Sequence, residues 1–547
     1  MIRETVGHLR DLPRYRQILT GLVRYGYQDV VTALRLEGIA RPIERVTLGA
    51  EAELHDRPAR LRMLCEELGP SFVKLGQLMS TRADLLPESY TSELALLRDS
   101  ARTFPFDQVE AILREEFGRP AQSVFRSIEP EPTAAASISQ VHRAILHDGQ
   151  VAAVKIQRPG IAKIVQSDLD ILKNLAQLVE KRIRELAALR PMALAHEFER
   201  TIKRELDFSI ERTTIERCRR HFAQDPTIHV MRTYPEYCTS RVLTMEFIEG
   251  APIDDRAAII AFGHTPEEIA DRGARLVLEM VFRHGFFHAD PHPGNLRVLE
   301  SGVIAPLDYG IFGQLDAITR ERIGDLLSGL IAQDPDRVLR ALQALDVRVR
   351  PADIRAFRRD LAELTATYSD LSLETISLSP LLREIFALAR THHIHIPADL
   401  VLLIRALVGI ESVARTLDPH FDITTRLVPL LRDLHLRRLR PDRILHETLR
   451  AGADLRKIAT ILPEVLSQSL ESIRQGQLKV TFDLQGFSRL ARQLTRASNS
   501  LTVGIVVAGL LVSSALVLRS GLPLVAYVGF ALGMVLCLWL VWNMSRD

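Results

Sequence analysis

The chain has 547 residues, 47% of them hydrophobic, and carries 70 basic against 68 acidic side chains. It is too long for one ordinary core, and so near neutrality that no global electrostatic case for nucleic-acid binding exists. Modest Pro and Gly content excludes a mainly disordered or fibrous protein, and the four cysteines (Cys65, Cys218, Cys238, Cys537) show no CxxC pair and fit a reducing compartment.

The N-terminus, Met1 to Gln17, has mixed charges and no apolar run, so no cleaved signal peptide is expected and this end reads as cytoplasmic. Residues 1–120 read as a helical extension. Leu61, Leu64, Leu68 and Phe72 make a helical stripe that runs into Lys74-Leu-Gly76-Gln77. Pro120 and the Pro130–Pro132 stretch end that style of sequence. In residues 121–250, Ser139 to Leu146, a turn at Asp148-Gly149 and Val151 to Ile156 predict a β-hairpin. A helical stretch from about 161 to 219, broken near Pro191, follows, and Val242 to Glu246 reads as a strand entering a loop. Residues 251–480 read as a mostly helical lobe: helix over 266–287, short strands and turns over 288–313, and nearly all helix from 316 to about 475.

Residues 481–547 differ. Leu501–Leu518 and Leu522–Asn543 hold no charged residue, and each run can cross ~30 Å of hydrocarbon at ~1.5 Å per residue. Arg519-Ser520-Gly521 forces a tight return, which predicts a transmembrane hairpin; a buried hairpin of a soluble domain is the alternative. Arg489, Arg492 and Arg496 before the first run and Arg546 after the second, against Arg519 alone between them, put the body of the protein in the cytoplasm. Trp539 and Trp542 suit an interfacial anchor, and Gly529 and Gly533 form a weak GxxxG signal.

The chemistry concentrates in His288-Ala-Asp290-Pro-His292-Pro-Gly-Asn295 and in Leu307-Asp308-Tyr309-Gly310. Pro291 and Pro293 exclude a helix, so the two histidines are not a helical zinc pair. Phosphoryl transfer needs a carboxylate for the acceptor oxygen, an amide and a carboxylate for magnesium, and a lysine for the phosphates. Asp290 with Asn295 reproduces the catalytic-loop spacing, Asp308-Tyr309-Gly310 the metal-loop turn, and Lys155 on its strand the upstream lysine. Taken alone, Lys155 reads as an edge-strand lysine. The order of all the pieces predicts a two-lobed, protein-kinase-like α+β fold.

The chain resembles the UbiB/ADCK family of atypical kinases. The resemblance rests on Lys74-x-Gly76-Gln77, Ala134-Ala135-Ala136-Ser137-Ile138-Ser139-Gln140-Val141-His142, Val154-Lys155, Glu205-x-Asp207 with Glu211, and the two loops above. It implies ATP and Mg²⁺ as cofactors, with Asp290 as the catalytic aspartate and Asn295 and Asp308 as metal ligands. It further implies nucleotide contacts from residues 134–141, from Lys155 paired with Glu211, and from a hinge at Glu246 to Glu249. Lys74, Gly76 and Gln77 would lie over the site and meet Glu205 and Asp207, although Lys74 and Glu205 also read as solvated helix charges. Glu211 stands farther from Lys155 than in an ordinary kinase, and the segment between about 161 and 196 looks like the family's insertion. Ser139 replaces the usual glycine and Tyr309 the usual phenylalanine.

The implied function is an atypical kinase or ATPase supporting ubiquinone biosynthesis at the bacterial inner (cytoplasmic) membrane, with its kinase-like domain facing the cytoplasm. Expected partners are membrane lipids, isoprenoid quinone precursors and quinone-biosynthesis enzymes, with no nucleic acid; a homodimer is left open. A loop in which every residue carries a Cβ, and an N-terminal segment in the peptide's space, argue against a true protein kinase. A nucleotide-binding scaffold is the other alternative. Leu436-Arg-Arg-Leu-Arg440 reads as a solvated helix face or an anionic-headgroup contact.

Overall fold

The computed structural model describes residues 12–36, 55–82, 85–97, 103–183, 190–345, 354–367, 378–392 and 396–438, with a few single positions beside them. In the tail it describes helical pieces at 509–510, 513–515, 527–528 and 530–535. The chain divides into two units, 1–441 and 442–547.

The first unit begins with helices α1 (Leu12–Arg24), α2 (Gln28–Ala33), α3 (Arg57–Leu68), α4 (Pro70–Ser80) and α5 (Glu88–Leu94). The Asp56 carboxylate accepts the Ala59 N–H and starts α3. Gly69, at φ 93°, ends it, and Pro70 opens α4 with a φ already set for helix. Tyr15, Leu19, Leu64, Phe72 and Leu94 form the core between these helices.

After α6 (Phe106–Phe117) and α7 (Ala121–Val124) come strands β1 (Ser127–Ile128), β2 (Ala134–Ala135), β3 (Ser139–Ile145), β4 (Val151–Gln157) and β5 (Val242–Glu246). They form one antiparallel sheet in the order β1-β3-β4-β5, with β2 also paired to β3. Gly149, at φ 88°, makes the hairpin turn that Asp-Gly predicts. Val154, Ile156 and Val242 on one sheet face pack against Val109, Ile112 and Leu113 of α6. Between β4 and β5 lie α8 (Ile161–Arg182), α9 (Pro191–Glu205) and α10 (Phe208–His221). The expected helical stretch therefore has a second break, at Leu206-Asp207.

The lower lobe contains β6 (Ala251–Pro252), α11 (Arg256–Ala261) and α12 (Pro266–Glu279), which a wider turn extends to His284. The helix expected over 266–287 stops there because Gly285 turns left-handed at φ 63°, and the next residues form β7 (Phe286–His288). Strands β8 (Leu296–Val298), β9 (Ile304–Pro306) and β10 (Phe312–Gln314) complete two small sheets, β7-β10 and β6-β8-β9. Helices α13 (Ala317–Ile331), α14 (Pro335–Ala344), α15 (Ile354–Thr367), α16 (Leu378–Thr391), α17 (Ala398–Leu417) and α18 (Ile423–Arg438) follow. One large core joins Ile269, Leu276 and Phe287 to Leu403, Leu407 and Ile410 of α17.

The expected transmembrane hairpin lies for the most part outside the described residues. Among those described, no helix is long and apolar enough to cross a membrane. The helix expected from 439 to about 475, including Leu439 and Arg440 of the basic cluster, also lies outside them.

Candidate active site

A cleft of about 1470 Å³ is lined from above by β2 to β5 and from below by the loops after β7 and β9. Strand pairing puts Lys155 opposite Val141 on one side and Leu243 on the other. Its ammonium donates to both Glu211 oxygens, at 2.9 and 2.8 Å, from the middle strand to the first turns of α10. Burial opposes the charge on Lys155, but the Glu211 and Asp308 carboxylates outweigh it and hold its pKa above the ordinary lysine value. The pair bridges the insertion between β4 and α10 that separates the two residues in sequence.

Asp290, Asn295 and Asp308 line the same cleft. Asn295 Nδ2 donates to the Asp290 carbonyl at 3.2 Å, and the Asp290 N–H donates to His288 Nδ1 at 2.8 Å. His288 is buried, and burial lowers its pKa against the opposing pull of Asp308 and Asp290. Its Nδ1 therefore accepts as part of a neutral ring. Burial works to raise Asp308, yet Lys155, His288, the Gly310 N–H and Lys74 together hold its pKa below the ordinary carboxylate value. Tyr309 is packed against Phe312, ring on ring at 5.7 Å, and is 1% exposed. Its hydroxyl has no hydrogen-bond partner among the described residues.

The alanine loop is a short β2-β3 hairpin whose turn closes with the Ala136 N–H donating to the Ser139 carbonyl at 2.8 Å. Ala134, Ala135, Ala136, Ile138, Ser139 and Val141 line the cleft. Ser137 and Gln140, expected among the nucleotide contacts, do not. Strand alternation turns Gln140 to the far face, where its amide accepts the Phe104 N–H at 3.1 Å and donates to the Phe104 carbonyl at 3.2 Å. Ser137 is buried, and its carbonyl accepts from Arg158 Nε at 3.2 Å. Glu246 lines the cleft with Phe247, Ile248 and Glu249, but its carboxylate is engaged outside, by the Arg232 N–H and His229 Nε2 at 3.0 Å each.

Lys74 and Gln77 reach the cleft from α4. Of the two carboxylates expected to meet Lys74, Glu205 does so, at 3.3 Å. Asp207 instead caps α10, accepting from the Ser209 N–H at 3.0 Å and the Ser209 hydroxyl at 2.6 Å. A second pair, Arg82 to Glu197 at 2.8 Å, fixes α4 antiparallel to α9. Gly76 does not line the cleft: it faces Leu97, Cys65 and Leu94, where an added Cβ would collide with Leu97. Gln77 Nε2 donates to the Leu97 carbonyl at 3.1 Å, so these two residues seat α4 on the end of α5.

Two contributors lie outside the sequence motifs. Arg158 ties down the alanine loop, and nothing in its Gln-Arg-Pro-Gly context signals this. Arg405 of α17 meets Asp290 Oδ2 at 2.7 Å. A single charge in the apolar run Leu400 to Ile410 was the available signal for it.

Three family models match the chain: the ABC1 atypical kinase-like domain over residues 96–342, the UbiB helical domain over 361–422, and the ABC1/UbiB kinase-like C-terminal domain over 485–546. An uncharacterised protein of Synechocystis sp. is 32% identical over 431 residues, 78% of this chain and 74% of that protein. Proteins named probable protein kinase UbiB are likewise 32% identical, from Xylella fastidiosa over 89% of each chain and from Marinobacter nauticus over 81% of this chain and 83% of that one. The solved complex of Rv3197 with erythromycin from Mycobacterium tuberculosis is 23% identical, covers 74% of this chain and 99% of that one, and has a TM-score of 0.47. With its kinase-like lobes, its helical domain and these relatives over most of their length, the chain belongs to the ABC1/UbiB family of atypical kinase-like proteins.

Proposed function

We propose that this protein is a membrane-anchored atypical kinase or ATPase that binds ATP with Mg²⁺ and supports the biosynthesis of isoprenoid quinone lipids. The observation that carries it is the meeting of Lys155, held by Glu211, with Asp290, Asn295 and Asp308 around one cleft. Asn295 and Asp308 offer the oxygen donors that a hard cation prefers. Magnesium, when bound, neutralises charge on the phosphates. Lys155 would meet phosphate oxygens, Asp290 would orient the acceptor oxygen, and the backbone of Glu246 to Glu249 would meet adenine.

The quinone assignment follows the family resemblance and the UbiB name of the relatives. The membrane anchor rests on the two uncharged runs near the C-terminus. In agreement, the large apolar side chains of Tyr527, Val528, Leu532, Met534 and Val535 are exposed on the described helical pieces. The polarity of the flanking arginines favours the bacterial inner membrane with the kinase-like domain in the cytoplasm. Against a protein acceptor stand α4, α5 and α17, whose residues Gln77, Leu94 and Val401 wall the cleft. The pinned alanine loop favours, as a second reading, a nucleotide-binding scaffold without turnover.

The test is magnesium-dependent phosphate release from ATP by the purified protein in liposomes, with Asp290→Asn and Lys155→Ala as controls. Release that requires liposomes and disappears in Asp290→Asn is expected. Nucleotide binding without release under any lipid condition would leave the scaffold.

A further inference from the structure

Arg405 stands alone as a charge on an apolar stretch of α17, with Val401, Ile404 and Val408 beside it on the cleft wall. Its side chain is 28% exposed, and a guanidinium so placed needs a partner. That partner is Asp290 Oδ2, at 2.7 Å. One helical turn on, Gly409 faces the next loop residue, where an added Cβ would stand 3.3 Å from both Pro291 Cδ and Cγ. Positions four apart share a helix face, so one face of α17 meets Asp290 with a charge and Pro291 with bare backbone.

The main chain of Asp290 is held separately. Its N–H donates to His288, and its carbonyl accepts from the His292 N–H at 2.8 Å and from Asn295 Nδ2 at 3.2 Å. None of these bonds fixes the carboxylate, and among the described residues Arg405 is its partner. We propose that Arg405 is a positioning residue, which sets the orientation of the Asp290 carboxylate and so makes α17 a required support of phosphoryl transfer. This rests on the catalytic reading of Asp290 given above. The planar fork of arginine fixes an oxygen direction that the point charge of lysine leaves free.

The test uses the full-length protein in liposomes, with Arg405→Met, which keeps length and apolar packing, and Arg405→Lys, which keeps charge. Phosphate release and ATP affinity are measured for both, with thermal melting as a folding control. The expected result is a fall in kcat of about 10- to 100-fold for the Met variant, because misorientation of a reacting group costs that order. The Lys variant should fall less, and ATP affinity should match the wild type in both. Wild-type kcat in the Met variant, or a loss confined to ATP affinity, overturns the proposal. If the Met variant does not fold, the Lys variant decides, and wild-type kcat there overturns it too. A wild-type protein without turnover overturns both this proposal and the catalytic reading. Turnover abolished by Asp290→Asn but intact in the Arg405 variants overturns this proposal alone.

Discussion

The tip of the alanine loop gives a direct measure of how far the proposed nucleotide site departs from a mobile one. Ile138 is 5% exposed and packs with Ile161, Val165 and Leu169 of α8 and with Phe198 and Ile202 of α9. Its carbonyl accepts the Arg158 N–H at 2.8 Å, so the tip is pinned by both side chain and backbone. Replacing a buried Ile by Ala costs about 2–5 kcal/mol, and a loop tip, which can relax, should fall near the lower end. A shift of about 2 kcal/mol raises the unpinned population roughly 30-fold, since each 1.4 kcal/mol is about tenfold. The reporter is the Ala136 N–H, whose bond to the Ser139 carbonyl exists only while the turn is closed. In Ile138→Ala, hydrogen exchange at Ala136 should accelerate by about that factor, with Val154 and Ile156 in the neighbouring strand unchanged. Uniform acceleration across the sheet, or none at Ala136, would refute the pinning and leave Ile138 as an ordinary core residue.

Two further outcomes follow from a buried hydroxyl and a half-buried imidazole. Tyr309→Phe removes a hydroxyl that is buried without a partner among the described residues, so it should stabilise the protein by about 1–3 kcal/mol, seen as a raised denaturation midpoint. His284 stacks on His221 at 4.4 Å; burial first, then His221, Arg283 and Arg320, push its pKa down to about 4. A histidine depressed in the folded state contributes stability that is full above its unfolded value of ~6.5 and is lost as pH falls toward about 4. His284→Phe should therefore flatten the loss of stability between those two pH values in denaturant titrations. An unchanged slope would mean that another group carries it.

The legible part of the site was the part written in short-range order. The Asp-Gly turn, the Asp290 to Asn295 loop and Asp308 each sit in a few consecutive residues whose turn chemistry leaves little freedom. Lys155 was legible from its place upstream of the two loops, but Glu211 only through family resemblance, because the helices between them carry no local sign of which acid returns to the strand. Where resemblance assigned function to a whole motif, the fold divided it. Gly76 is a packing position against Leu97, Asp207 is a helix cap, and Gln140 serves the backbone of Phe104. Strand alternation decides Gln140, and the choice of partner for Lys74 depends on the angle at which α4 crosses α9. That angle cannot be read from spacing across a helix break such as Leu206-Asp207.

The contacts that brace the site from outside its motifs share one direction. The insertion helices hold the alanine loop through Ile138, and α4 is clamped to α9 by Lys74 with Glu205 and Arg82 with Glu197. From the other end of the chain, α17 reaches Asp290 through Arg405. Each grips a part of the site, and the loop among them is one that an ordinary kinase keeps free to move with its substrates. On the proposed reading, fixing the loop, α4 and the Asp290 carboxylate together lowers the cost of reorganisation at the reacting centre, and α4 occupies space beside the cleft that a folded protein acceptor would need. That is the physical reason for searching among lipids and hydrolysis before peptides.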